Sequence, residues 1–161
     1  MSQSILGDQA AVFEVCAEIE EAAAEIYRCF QRAHADSPSL AAIWEKTAQE
    51  EDNHARQFRM TPRVLDSMVA EVVVDLDDAR QALALARKLL SSARAAPPEP
   101  AAALRLAIQM EQRFADFHMS QAAVFKSPSH AKLFSAMMAA DRGHAEQLQR
   151  EYQRYSSPPP P

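Results

Sequence analysis

Glu51 and His54 stand three residues apart in the stretch Gln49-Glu50-Glu51-Asp52-Asn53-His54. On an α-helix that spacing puts a carboxylate and an imidazole side by side on one face. The two can then ligate a single transition-metal ion. Alone, such a pair is a common accident of surface helices. This one has a copy: Asp141 and His144 repeat the spacing with the shorter acid. Each pair follows a segment that carries one acid within an apolar stripe. Glu20 precedes Glu51 by 31 residues, and Glu111 precedes Asp141 by 30. The punctuation between the members also repeats, Ser37-Pro38-Ser39 in one half and Ser127-Pro128-Ser129 in the other. From the proline to the histidine the count is 16 residues in both. A unit used twice fixes the architecture before any single element is assigned.

Any one of these six residues has an ordinary explanation. A lone acid in a stripe reaches solvent at the boundary, and a lone core histidine finds a hydrogen bond. Together they do not. Four carboxylates and two imidazoles converging in one core would cost many kcal/mol or force protonation unless a counter-charge is present. Two divalent cations neutralise four carboxylates. Oxygen and imidazole donors without thiolate suit iron or manganese, and zinc also fits. The six residues Glu20, Glu51, His54, Glu111, Asp141 and His144 therefore point to a dinuclear metal site.

The elements that must position them are helices. The chain is rich in alanine, has only two glycines, and shows no alternating strand pattern of any length. Helix 1 is expected from about Asp8 to His34, after a loose lead-in, with the stripe Phe13, Cys16, Glu20, Ala23/Ala24, Tyr27. Glu21 has Glu14, Glu25 and Arg28 around it and reads as solvated. Ser37-Pro38 opens helix 2, which runs to about Arg59 with Leu40, Trp44, Glu51, His54 and Phe58 inward and Glu50 on the surface. Thr61-Pro62 breaks it. A crossover follows, with Val72-Val73-Val74 open to either helix or extended chain and a helix from the Asp75 cap to about Ala95. Helix 3 is expected from about Pro100 to Phe125, with Leu104, Glu111, Phe114, His118 and Phe125 on one stripe. Helix 4 follows Ser127-Pro128, with Phe134, Met137/Met138, Asp141, His144, Leu148 and Tyr152 inward. The fold class is all-α: a four-helix bundle with a long, partly helical crossover between helices 2 and 3, which must run parallel for the half-sites to meet. The domain spans 1–155, with repeats at about 9–59 and 101–155, a crossover at 60–100 and a proline-rich tail at 156–161.

At 161 residues the chain makes one domain, and with a formal charge of −5 nothing in it suggests a nucleic-acid surface or an anionic membrane as partner. No apolar run reaches a membrane span, and no basic-then-apolar leader opens the chain, so a cytoplasmic location is expected. Cys16 and Cys29 lie about 20 Å apart on one helix, too far for a disulfide. With no Cys-x-x-Cys there is no thiolate zinc or iron site. Cys16 reads as a buried inert thiol, His34 and His130 as solvated, and Met110, Met119, Met137 and Met138 as core fillers.

These residues resemble a rubrerythrin-type protein of the ferritin-like superfamily, without a rubredoxin domain. The likeness rests on Glu20 with Ala23 and Tyr27, Glu51-x-x-His54 with Ala55 and Phe58, Ala107 with Glu111 and Phe117, and Asp141-x-x-His144, over about Val12 to Tyr152. It implies a di-iron centre. Glu20 and Glu111 would be terminal ligands, Glu51 and Asp141 would be bridging, and His54 and His144 would bind one metal each. It implies that Tyr27 hydrogen-bonds a ligand carboxylate, and that the chain is a homodimer. Asp141 stands where the family has Glu. Phe114 stands where rubrerythrins can carry an acid, and His118 takes the place relative to Glu111 that Tyr27 takes relative to Glu20. His118 is open to three roles: partner of a ligand, proton donor or extra ligand. The resemblance favours an oxidoreductase that reduces hydrogen peroxide or O2 with electrons from an external donor, such as a separate rubredoxin-like protein. Tyr27 and His118 are then the catalytic candidates. Two other readings stand beside it: an iron-handling ferroxidase, and a metal-free helical interaction module with a degenerate site.

Overall fold

A computed structural model of the chain describes residues 2–60, 65–118, 122–137 and 141–157, without the side chains of 2–6, 65–66, 133–137 and 141–144. The elements are α1 (Ser2–Ala33), α2 (Pro38–Met60), the short α3 (Leu65–Met68), β1 (Val69–Val72), α4 (Leu76–Ala95), α5 (Pro100–Phe114), β2 (Ala123–Phe125), α6 (Pro128–Met137) and α7 (Asp141–Ser156). The architecture is an all-α, ferritin-like bundle carrying one small antiparallel ribbon.

Pairings between elements set their directions. Arg28 bonds Asp52, and Arg59 bonds Glu21 and Glu14. Higher numbers on α1 meet lower numbers on α2, so the two form an antiparallel hairpin. Glu18 pairs with Arg87 and Glu25 with Arg94, so α4 lies along α1 in the same direction. Ala79, Ala82, Ala86 and Ala93 of α4 are buried, and such small side chains let the two backbones approach closely. Tyr27 meets Glu111 while Glu20 meets His118, so α5 runs against α1 and therefore parallel to α2, as the repeat demands. α7 packs on α5, with Leu148 fully buried and Tyr152 against the core. At one end of the bundle, His34 reaches the carbonyl of Pro98 at 2.9 Å and Ser37 reaches the Tyr155 hydroxyl at 3.2 Å, which gathers the α1–α2 and α4–α5 connections and the end of α7.

Local sequence explains most boundaries. Proline stands first in α2, α5 and α6, where its missing N–H is one the helix would leave unpaired in any case. Asp75 caps α4, its carboxylate accepting from the amides of Asp77 and Asp78 at 2.9 and 3.2 Å.

Four expectations are corrected. α1 begins at Ser2, because nothing between there and Asp8 interrupts a helix except Gly7. The expected helix 3 ends early: α5 stops at Phe114, a 3-10 turn covers Ala115–Phe117, and His118 is extended at φ −72° and ψ 149°. The segment that follows forms β2 instead, pairing Val72 with Ala123 and Glu71 with Val124. That ribbon also settles the ambiguous valines as strand up to Val72. The ribbon's partners are some fifty positions apart, so no local periodicity announces them. Glu50, expected on the surface, is buried, as are Ile43, Thr47 and Gln57 on the same flank. A bundle helix touches more than one neighbour, so α2 is covered over a wider sector than a single stripe. His34, expected in solvent, is buried between Trp44 and Pro98. The helix break at Thr61-Pro62 and the side chains of Met119 and Met138 lie outside the described residues.

The core is split into two apolar clusters. One gathers Ile26, Tyr27, Phe30, Leu40, Trp44, Leu104 and Leu148. The other gathers Val12, Phe13, Cys16, Ala17, Ala55, Phe58 and Ala122. Along α1 the change comes between Ala17 and Ile19, and along α2 between Ala48 and Ala55. Glu20, Glu51 and His54 sit at that level.

Candidate metal centre

Glu20 enters from α1, and Glu51 and His54 from α2. All three are at most 4% exposed. Each offers a ligand atom, and these atoms lie within 4.8 Å of one another. His54 Nδ1 is 2.9 Å from Glu51 Oε2, a hydrogen bond, and 3.7 Å from Glu20 Oε2. The i, i+3 spacing on α2 makes the first contact, and the antiparallel hairpin makes the second.

Glu111 comes from α5 and is half-buried. The Tyr27 hydroxyl donates to its Oε1 at 2.5 Å. Tyr27 is fully buried and stacked on Trp44, with ring centroids 6.0 Å apart and planes 9° from parallel. The Trp44 indole N–H donates in turn to His34 Nδ1 at 3.0 Å. Each group along this run, from Pro98 to Glu111, is fixed by the next. His118 Nε2 lies 3.7 Å from Glu20 Oε1, and its ring centroid is 5.7 Å from that of His54. Asp141 and His144 fall on α7, with side chains outside the described residues.

The electrostatics show how much charge is crowded here. Burial, then the negative charges of Glu111 and Glu20, push the Glu51 carboxyl well above its ordinary range. Burial acts on Glu20 in the same sense. It is outweighed by the attraction of His118 and by hydrogen bonds from His54 and Glu51, and Glu20 is lowered to about 2. The pair behaves as one acid that keeps its proton and one that loses it. Burial and the charge of Glu111 hold the Tyr27 phenol protonated, well above its usual value. Cys16, one turn before Glu20, is pushed up to about 12 by burial and by Glu20, so its thiol is inert.

A cavity of about 10 Å³ lies among Glu20, Tyr27, Glu51, Glu111, Phe114 and His118. That is close to the smallest space that admits one water-sized molecule. The donors around it are carboxylate oxygens and imidazole nitrogens, with the thiol of Cys16 withheld. Such a set fits iron, manganese or zinc rather than a soft metal. Sequence reasoning missed the supporting role of His34. The available signal was its position seven residues after Tyr27, on the same helical stripe.

A helical bundle whose two apolar clusters are parted by buried carboxylates and imidazole defines a ferritin-like protein of the carboxylate metal class. The family model for rubrerythrin matches residues 12–152, and the chain belongs to the rubrerythrin family. No curated protein and no solved structure matches the chain. Among the described residues no helix is long and apolar enough to cross a membrane.

Proposed function

We propose that this chain is a non-haem, dinuclear-metal oxidoreductase that reduces hydrogen peroxide or O2 with electrons from an external donor. The observation that carries the reading is the buried set Glu20, Glu51 and His54, with Glu111 held beside it by Tyr27. A pair of iron ions held there supplies two electrons and two Lewis-acidic positions. Glu20, Glu51 and His54 would hold one ion. Glu111, with Asp141 and His144 on the repeated spacing, would hold the other.

Reduction of hydrogen peroxide to two waters takes two electrons and two protons. The small cavity among the described side chains favours a small oxidant over a bulky substrate. The two apolar clusters keep bulk water from the carboxylates, which strengthens every charge interaction between them. The Tyr27 hydroxyl keeps its proton, so it serves Glu111 as a donor and holds that carboxylate in one orientation. Glu51 holds its proton in the metal-free site and would release it to ligate an ion. The electron donor in this reading is an external protein of rubredoxin-like chemistry. The expected setting is the cytoplasm, and the expected assembly is a homodimer.

The test is metal content and spectrum together. The protein is loaded anaerobically with Fe(II), the iron bound per chain is counted, and one equivalent of hydrogen peroxide is added. Two irons per chain and a near-ultraviolet band that appears at once support the oxidoreductase. Less than one tightly held iron and no spectral change would replace it with a metal-free interaction module. Iron that is oxidised and then leaves the protein would favour iron handling.

A further inference from the structure

We propose that His118 is a ligand of the ion held by Glu20 and His54, rather than a proton relay beside it. The inference deepens the metal-centre reading and rests on it. His118 reaches the site from beyond the end of α5, which stops at Phe114. After the 3-10 turn its backbone is extended and pinned on both sides, by His118 N–H to the Ala115 carbonyl at 3.2 Å and by Ala122 N–H to the His118 carbonyl at 2.9 Å. The ring is thereby turned toward α1.

Glu20 is bracketed by two imidazoles. Its Oε2 lies 3.7 Å from His54 Nδ1, and its Oε1 lies 3.7 Å from His118 Nε2. A separation of 3.7 Å is too long for a hydrogen bond, so His118 faces Glu20 as an open pair of charges with no hydrogen bond closing it. Donors that share one ion at 2.0–2.2 Å stand about 3–3.5 Å apart, so a small turn of each ring closes the set. His118 meets the cluster at Glu20 and at the His54 ring, and its side chain is 19% exposed.

The donor balance argues the same way. Glu20, Glu51 and Glu111 bring three carboxylates to the cavity, His118 is the one imidazole on its described wall, and His54 stands behind Glu20 and Glu51 in the cluster. On the cavity wall below Glu111 the next side chain of α5 is Phe114, which offers no donor. Among the described residues, His118 is the group at that end that can complete a coordination sphere.

The test uses Co(II) added anaerobically to the full-length, metal-free protein. Ring N–H protons of metal-bound histidines appear as strongly shifted, exchangeable proton resonances that can be counted. In His118→Gln we expect one fewer such resonance than in the wild type, and one Co(II) equivalent bound at least about tenfold more weakly. In His118→Cys we expect a thiolate-to-Co(II) charge-transfer band that the wild type lacks, which a positioning role would not create. An unchanged resonance count in His118→Gln, or a His118→Cys variant that binds Co(II) without the band, overturns the assignment and leaves the metal centre standing. A wild type that takes up no Co(II) overturns both.

Discussion

Glu51 is the residue where the cost of this site is concentrated. Its carboxyl is raised by burial and by Glu111 and Glu20, so in the metal-free protein it stabilises the fold fully below its unfolded value of 4.5 and loses that contribution as pH rises through its folded value. Glu20 has the opposite sign: its folded value of about 2 gives stability above 4.5 that is lost as pH falls toward 2. The metal-free protein should therefore lose urea resistance between about pH 5 and pH 8, and Glu51→Gln should remove most of that slope. At pH 8 the variant should be the more stable of the two, because its amide still donates to Glu20 and carries no charge. Urea midpoints measured across that range check this, and parallel curves for the two proteins would sink it. The same variant should lose metal, since an amide is a poor replacement for a carboxylate ligand.

At the scale of elements, α1 and α2 do most of the positioning, and one run of side chains ties them to the rest. Pro98 holds His34, His34 accepts from Trp44, Trp44 stacks on Tyr27, and Tyr27 donates to Glu111. The run crosses from the α4–α5 connection to α1, α2 and α5. His34→Ala leaves the fully buried indole N–H of Trp44 without this acceptor and opens a hole beside Phe30. A loss of about 2–4 kcal/mol follows. Trp44 is the sole tryptophan, so its fluorescence in urea reads the loss directly. A variant within about 0.5 kcal/mol of the wild type would show that the run is not a structural tie.

For the whole molecule, the polar layer between two apolar clusters means that the metal-free fold carries crowded charge that cations relieve. Each ion present at a hundred times its dissociation constant adds about 2.7 kcal/mol. For a domain of this size that is a rise of several degrees in the unfolding midpoint per ion. Thermal unfolding with Fe(II) or Co(II) against excess EDTA should show it, and EDTA should reverse it. Coincident curves would mean that the carboxylates manage their charge without metal.

Sequence by itself determined the parts that are local or periodic. The repeat pointed to Glu51 and His54, which stand with Glu20 in one cluster. The 3.6-residue stripe put Glu20, Glu51, His54 and Tyr27 inward, and all four are buried. Proline and the Asp75 cap marked where α2, α4, α5 and α6 begin. These features depend on a residue and its neighbours within a turn or two, so they can be read from spacing. Tertiary structure decided the rest, because it turns on partners far away in the chain. α5 gives up its last turns to a ribbon in which Ala123 finds Val72. His34 is buried because Trp44 and Pro98 meet over it, and Glu50 because α2 is covered on a second flank. His118, expected on the inward stripe of a continuous helix, meets Glu20 instead from an extended segment after the break at Phe114, where hydrogen bonds across the ribbon replace those a helix would have made.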